Sequence, residues 1–248
     1  MSNLNESDYR SYRDNFLDKR HEDTCNWLLA DERYNFWLRS ADSNLLWVHG
    51  GPGCRKSVLS SYLTLKLAGT YPETAKEDAR LVAYFFCDDK DENLKTAMAI
   101  LRNLVIQILR QAPKYFGIVL PEYNIRRDKT GAVSWMFDQL CRIFSTIIVD
   151  VDGGQIVCLV DALDECEETS REQFLHRLRK ALRQASNKGF KVLITSRSYI
   201  PVTEGFICAT EVALEARNLD KDIQHFVKNE ASLLAKKKGF PTSMEREI

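Results

Sequence analysis

The feature that most constrains the fold is an apolar run that leads through a glycine-rich turn directly into a helix. The run is LLWVH at residues 45–49, and GGPGCRKSVLSSYLTLKL follows it. A short, nearly all-apolar run is typical of a strand buried on both faces of a parallel sheet. After the turn, apolar residues recur at helical spacing, at Val58, Leu59, Tyr62, Leu63 and Leu67. The sequence therefore predicts a strand, a tight turn and a helix in direct succession.

The same alternation continues along the chain. Four more strands are predicted by apolar runs, at LVAYFF (81–86), IVCLV (156–160), FKVLITSR (190–197) and FICATEVAL (206–214). Helical spacing of apolar residues predicts helices at 92–110, at 134–151, after Ser170 and at 221–237. Residues 112–133 hold two prolines and two glycines, which favour a loop or an insertion. Strands separated by helices predict an α/β fold with a parallel sheet and crossover connections.

Length and composition favour one α/β domain with short extensions. The chain has 248 residues, and its 35 basic residues balance 35 acidic ones, so no overall field recruits nucleic acid or a membrane surface. No apolar stretch reaches the roughly 20 residues needed to span a bilayer, and the N-terminus lacks the pattern of a signal peptide. Seven cysteines without a C-x-x-C pair indicate free thiols in a reducing compartment. We expect a cytoplasmic protein.

The glycine-rich turn differs by one residue from the phosphate-binding loop G-x-x-x-x-G-K-[ST]. Gly50, Lys56 and Ser57 fall in register, while Arg55 occupies the place of the second glycine. Loop N–H groups and the positive end of the following helix form an anion cradle. Lys56 is expected to reach the β- and γ-phosphates, and Ser57 to ligate Mg²⁺. The candidate nucleotide-binding residues are Gly50, Gly51, Pro52, Gly53, Cys54, Arg55, Lys56, Ser57 and Val58.

Two further strands end in residues that complete such a site. Asp161 closes the apolar strand 156–160, and a carboxylate on a strand tip suits a magnesium ion. Asp164 and Glu165 follow, and either can orient or deprotonate an attacking water. The strand 190–197 ends in Thr195, Ser196 and Arg197, which places a hydroxyl or a guanidinium at the same sheet edge. Arg197 is predicted to contact the γ-phosphate. The candidate catalytic residues are therefore Asp164, Glu165 and Arg197, and the metal ligands Ser57 and Asp161.

The order LLWVHGGPGCRKSVLSSYL, AYFF, ILRNLVIQIL, LVDALDEC and VLITSR resembles the NACHT class of P-loop NTPases. Within that STAND group it is most similar to the nephrocystin-3-like N-terminal domain of fungal NOD-like receptors. The resemblance covers residues 22–215, including the segment from Thr24 that leads into the loop. Residues 1–21 are then a polar N-terminal extension, and residues 216–248 are a C-terminal helix with a truncated tail.

The resemblance implies a fold, a ligand and a role. The fold is a P-loop NTPase three-layer sandwich whose five-stranded parallel sheet is flanked by helices, with the TSR strand between the loop strand and the Asp161 strand. The ligands are ATP or GTP with Mg²⁺. The role is a slowly hydrolysing regulatory switch in a signalling protein, which forms a homo-oligomer through its nucleotide domain.

Arg55 changes what this loop is expected to do. The glycine that it replaces often adopts positive φ, and a non-glycine residue held there costs roughly 1–2 kcal/mol. The added positive charge attracts polyphosphate and opposes that cost. Since hydrolysis demands tighter positioning than binding, we expect weakened nucleotide binding with slow or absent hydrolysis.

Other functions compete with a nucleotide switch. A scaffold that keeps the fold without binding nucleotide is favoured by Arg55. A small-molecule kinase would use residues 121–131, with Arg126 and Arg127, as a basic lid. A regulatory GTPase has weaker support, because DVDG at 150–153 precedes its strand and NKGF at 187–190 lacks the aspartate that reads guanine.

Overall fold

A five-stranded, wholly parallel sheet forms the centre of the molecule. In this computed structural model the described residues are 9–22, 24–69, 80–126, 135–150, 155–200 and 209–215, with ten scattered positions between 202 and 232. The strands are β1 (Asn44–His49), β2 (Arg80–Phe86), β3 (Gln155–Asp161), β4 (Lys191–Ser196) and β5 (Ala209–Ala213). Their spatial order is β2-β3-β4-β1-β5. All five strand predictions are confirmed, as is the place of the TSR strand between β1 and β3.

Helices cover both faces of this sheet. They are α1 (Tyr9–Leu17), α2 (Asn26–Ala30), α3 (Glu32–Arg39), α4 (Lys56–Gly69), α5 (Ala97–Gln111), α6 (Phe116–Arg126), α7 (Phe137–Val149) and α8 (Glu168–Gln184). Buried side chains of α5, α7 and α8 form one core with the sheet, and those of α3 and α4 form a second core on its other face. The three-layer P-loop NTPase sandwich predicted from the sequence is confirmed. Among the described residues no helix is long and apolar enough to cross a bilayer.

Strands β1 to β4 are largely apolar because each of them faces a core on both sides, whereas most residues of the edge strand β5 are exposed or half-buried. In β1, Leu45 and Trp47 pack into the core with α5, α7 and α8, whereas Leu46 and Val48 pack into the core with α4. Successive side chains of a strand point to opposite faces, so two buried faces require an unbroken apolar run. This burial fixes where β1 ends and thereby the position of the loop that follows it.

Helix α5 also covers the β2 edge of the sheet. Gln107 Oε1 accepts the N–H of Tyr84 at 3.0 Å, and its Nε2 donates to the Tyr84 carbonyl at 2.7 Å. One helical turn later, Gln111 makes the same pair of bonds with Val82, at 3.0 and 2.8 Å. An exposed strand edge can pair with another chain, and these two amides occupy it instead.

The prediction of a loop over residues 112–133 is wrong for residues 113–126, which form a 3₁₀ turn and a helix. A single 3₁₀ turn at Pro113–Tyr115 leads into helix α6, which contains Pro121. Tyr115 and Val119 are buried against the α5 and α7 core, so tertiary packing holds a helix where proline and glycine suggested a loop. Residues 127–134 lie outside the described part, as does Arg127 of the predicted lid.

The predicted N-terminal extension contains a helix that contacts the domain. Helix α1 lies within the predicted N-terminal extension, and Tyr9 makes an edge-to-face contact with Tyr84 at 5.4 Å between ring centroids. Phe16 stacks on Phe86 at 5.7 Å. The described half of the extension therefore packs on the domain. The predicted C-terminal helix falls largely outside the described residues.

Candidate functional site

The turn between β1 and α4 contains two residues with positive φ. Gly53 has φ 77° and Arg55 has φ 54°, so both lie in the left-handed region. Arg55 thus adopts the conformation that the pattern reserves for glycine, and its backbone is strained by roughly 1–2 kcal/mol. The side chain does not abolish the loop. It raises the conformational energy of the loop, because a non-glycine residue is held at positive φ.

Gly50 is required at the start of the loop for a different reason. A Cβ atom built on Gly50 would lie 2.8 Å from Leu214 Cβ, closer than real side chains approach. The Gly50 N–H donates to the Ser196 carbonyl at 3.3 Å, and the Leu214 N–H donates to the His49 carbonyl at 2.7 Å. The loop therefore begins in close contact with the last residue of β4 and with the residue that follows β5.

Lys56, the first residue of α4, folds back over the loop. Its Nζ donates to the Gly50 carbonyl at 2.9 Å and to the Gly51 carbonyl at 2.8 Å. A helix begins with N–H groups that have no partner within the helix, which here are those of Lys56, Ser57 and Val58. The ammonium and these amides together present positive charge at the mouth of the loop.

Asp161 lies beside this helix start, at the carboxyl end of β3. It is 1% exposed, and its Oδ1 accepts hydrogen bonds from Ser60 and from Thr195, both at 2.5 Å. Burial raises the pKa of Asp161, and the hydroxyl of Ser57 is among the groups that oppose the rise by hydrogen bonding. The two predicted metal ligands, Ser57 and Asp161, are therefore brought together. Their hydroxyl and carboxylate oxygens suit a hard cation such as Mg²⁺.

Thr195 connects β4 to the acidic turn. Its hydroxyl donates to Asp161 and accepts the N–H of Ala162 at 3.0 Å. Ala162 has φ 55°, so the chain turns sharply directly after Asp161. The predicted hydroxyl at this edge thus positions the carboxylate and the turn that follows it.

Asp164 and Arg197 form an ion pair. Arg197 Nε lies 3.1 Å from Asp164 Oδ2, and the Arg197 N–H donates to Oδ1 at 3.1 Å. The Asp164 side chain is 4% exposed, whereas that of Arg197 is 46% exposed. Asp164 therefore holds the loop after β4 through its contacts with Arg197.

Glu165 stands in an acidic environment. Carboxylate oxygens of Asp88, Asp89 and Glu165 lie within 4.8 Å of one another. Burial raises the pKa of Glu165 to about 7, and repulsion from Asp164, Asp89, Asp88 and Asp161 adds to the rise. A carboxyl group that titrates near neutral pH can both accept and release a proton there.

The raised pKa of Glu165 predicts a pH-dependent stability. Since its ordinary value is 4.5, the folded state keeps a proton between pH 4.5 and 7 that the unfolded state releases. Glu165 therefore lowers the free energy of unfolding as pH rises through this window, and the loss is complete above about pH 7. We expect Glu165→Gln to melt above the parent at about pH 8, with a smaller difference at about pH 5. Thermal melts without nucleotide test this, and Glu168→Gln, an exposed control on α8, should show no such gain.

Two features of the site were not predicted from the sequence. Asp88 and Asp89 lie just beyond the end of β2, after Cys87, so the rule that ligands bind at the carboxyl ends of parallel strands could have included them. His49 joins three elements: its Nε2 lies 3.1 Å from Glu211 Oε1, and its Nδ1 lies 3.1 Å from Ser198 Oγ. Burial lowers the pKa of His49, so a neutral imidazole precedes the loop.

The Arg55 side chain lies near the segment that leads into the domain. Burial raises the pKa of the Cys25 thiol to about 11, Asp222 raises it further, and Arg55 is among the groups that lower it. The Cys25 N–H donates to Asp222 Oδ2 at 2.9 Å. Three regions of the chain thus meet beside the loop, at Cys25, Arg55 and Asp222.

Comparison with known proteins agrees with this geometry. The family model described as "Nephrocystin 3, N-terminal" matches residues 23–197. The vegetative incompatibility protein HET-E-1 of Podospora anserina is 28% identical over 235 residues, which cover 92% of this chain and 16% of that protein. The chain thus spans a small part of the curated relative that it matches.

Two solved structures are similar to this chain at lower sequence identity. A chain of the Drosophila ORC bound to DNA is 14% identical, with a TM-score of 0.43 over 83% of this chain and 47% of its own. The Aeropyrum pernix ORC2 protein, in ADPNP-ADP complexes, is 12% identical, with a TM-score of 0.40 over 88% of this chain and 52% of its own. The family match covers most of the chain, together with the loop, the Asp161 strand and the TSR strand. The chain belongs to the nephrocystin 3, N-terminal family and contains a NACHT-like NTPase domain.

Proposed function

We propose that this domain binds ATP with Mg²⁺ and acts as a slowly hydrolysing switch in a NOD-like receptor type signalling protein. The observation that carries the proposal is the meeting of Lys56, Ser57 and Asp161 at one edge of the sheet. Asp161 is 1% exposed, and a buried carboxylate is stabilised by a nearby cation. A scaffold that binds no nucleotide does not require the Lys56 ammonium, the Ser57 hydroxyl and the Asp161 carboxylate to lie together.

Each residue of the site has a role in this proposal. The loop amides and Lys56 hold the phosphates, while Ser57 and Asp161 hold Mg²⁺, which neutralises charge on the phosphates when it is bound. Glu165 accepts a proton from water, and Arg197 senses the γ-phosphate by exchanging its contact with Asp164 for one with the phosphate. The preference for ATP over GTP rests on the family resemblance.

A nucleotide must also displace contacts within the loop. Lys56 Nζ is bonded to the Gly50 and Gly51 carbonyls, and these bonds are exchanged for bonds to phosphate on binding. Arg55 adds backbone strain, which opposes the tight positioning that hydrolysis needs more than binding does. We therefore propose weakened nucleotide binding with very slow turnover. The strain at Arg55 φ 54° accounts for the slow turnover.

The proposal is tested by replacing Arg55 with glycine. The left-handed strain lowers affinity only to the extent that the unliganded loop relaxes out of this conformation, so its removal should strengthen binding of a fluorescent ATP analogue by at most about tenfold, since 1.4 kcal/mol corresponds to a factor of ten. ATP turnover should rise by a larger factor. Arg55→Lys, which keeps the charge and the strain, is the matched control and should behave like the parent.

Three outcomes separate the hypotheses. Saturable binding by the parent supports the switch. Binding by Arg55→Gly alone would make the parent a scaffold whose site one residue has disabled. Equal affinity and equal turnover in the parent and Arg55→Gly would refute the role given to Arg55.

The signalling role rests on the relative found by sequence. HET-E-1 is named a vegetative incompatibility protein, and this chain covers 16% of it. By analogy we propose that the domain forms homo-oligomers through its nucleotide domain when nucleotide is bound. Sedimentation velocity with ADP and with a non-hydrolysable ATP analogue should show a larger species only with the latter.

A further inference from the structure

Away from the nucleotide site, a groove runs along the outer helical layer between α7 and α8. Its central cavity has a volume of about 530 Å³, and cavities of about 630 and 490 Å³ adjoin it at either end. Asp138 and Arg177 line both the central cavity and one end cavity, while Ser145, Thr146 and Gln184 line both the centre and the other end. The three cavities therefore adjoin one another along a single groove, which we name the α7–α8 groove.

The groove has the length of a short helix. It follows α7 from Met136, beside its first residue, to Val149, its last, and thirteen residues of helix extend about 20 Å. Its floor is apolar, because Leu101 of α5, Phe144 of α7 and Leu178 of α8 line the central cavity. Grooves with an apolar floor between two helices receive the apolar face of an amphipathic helix.

Exposed apolar side chains mark both ends of the groove. Met136 is 53% exposed and lines one end cavity, while Val149 is 38% exposed and lines the other. They are two of the eight large apolar side chains that are exposed in the described part of the chain, and they lie one groove length apart. An occupant with an apolar residue near each end would cover them.

Positive charge marks the centre. Arg142 of α7 and Lys180 of α8 both line the central cavity, and neither forms an ion pair with another described residue. Arg177 is already paired with Asp138. A carboxylate of a partner placed in this cavity would be attracted by both side chains. Ser145 and Gln184 add polar groups to the same cavity.

We infer that the α7–α8 groove binds an amphipathic helix of a partner protein that carries acidic residues at its centre and apolar residues near its ends. The acidic residues contact Arg142 and Lys180, and the apolar residues cover Met136 and Val149. This surface is separate from the nucleotide site, so the inference does not depend on nucleotide binding.

A pair of designed peptides tests the inference. The first is a fluorescein-labelled helical peptide of about fourteen residues, with leucines towards both ends and two glutamates on the same face at its centre. The second has lysines in place of the glutamates. Fluorescence anisotropy with the full chain should show saturable binding of the glutamate peptide, at least about tenfold tighter than that of the lysine peptide.

Charge reversal in the protein completes the test. The double variant Arg142→Glu with Lys180→Glu should bind the glutamate peptide at least about tenfold more weakly and the lysine peptide more tightly than the parent does. Lys188→Glu, at an exposed lysine outside the groove, is the control and should leave both affinities unchanged. Since all three sites are exposed, a thermal melt should show folded variants. Absence of binding, equal binding of both peptides, or equal loss in the Lys188 control would overturn the inference.

Discussion

Lys56→Ala is expected to weaken nucleotide binding by about 100-fold. A charge-assisted contact to phosphate contributes about 3 kcal/mol, and 1.4 kcal/mol corresponds to a factor of ten. The alanine also removes the bonds from Nζ to the Gly50 and Gly51 carbonyls, so the unliganded loop loses its internal tie. Titration with a fluorescent ATP analogue and Mg²⁺ measures the effect directly.

Two controls make the Lys56 result specific. Lys56→Arg keeps the charge but changes the shape of the donor, so it should bind with an affinity between those of the parent and the alanine variant. Lys188→Ala removes an exposed positive charge away from the site and should bind like the parent. An alanine variant at Lys56 that is folded and binds with the parent's affinity would remove Lys56 from the site.

Asp161→Asn is expected to abolish the contribution of Mg²⁺ to nucleotide binding. The amide is nearly isosteric with the carboxylate, and its oxygen can still accept the hydroxyls of Ser60 and Thr195, so the fold is retained. The negative charge that attracts the cation is lost. In the parent, Mg²⁺ should strengthen binding of the ATP analogue by at least about tenfold, and in Asp161→Asn it should not.

The comparison needs titrations with Mg²⁺ and with EDTA for each variant. Thr195→Val is the control, because it removes the hydrogen bonds of this hydroxyl to Asp161 and from the Ala162 N–H and leaves the charge of Asp161 in place. It should keep most of the Mg²⁺ effect. Retention of the full effect in Asp161→Asn would mean that another group holds the ion.

The elements that were predicted correctly are those in which one physical rule dominates. A strand with two buried faces must be apolar throughout, so β1 and β3 were visible as apolar runs. The parallel arrangement then placed Asp161 and Thr195 at one edge, and the structure adds the hydrogen bond between them. The positive φ of Arg55 followed from the glycine that the pattern requires there.

The features that were missed depend on contacts between distant residues. The prolines and glycines of residues 112–133 predicted a loop. The burial of Tyr115 and Val119 explains why α6 forms there instead. Nothing in the sequence distinguishes Ser60 from other helical serines. Its role depends on the packing of α4 against β3, which brings its hydroxyl to Asp161. The pairing of Arg197 with Asp164 likewise requires the geometry of two loops that the sequence does not specify.

The strand order has a consequence for the time at which the domain can form during synthesis. β1 pairs only with β4 and β5 among the described strands, and β4 begins 147 residues after the start of β1, at Lys191 compared with Asn44. On the ribosome, the strand that carries the phosphate loop therefore emerges early and waits unpaired until nearly the whole domain has been translated. During that interval β2 and β3 can already pair with each other, whereas the apolar segment LLWVH still lacks both of its partner strands. A nascent chain that stalls before Lys191 has no partner for this segment, which makes it a natural binding site for chaperones.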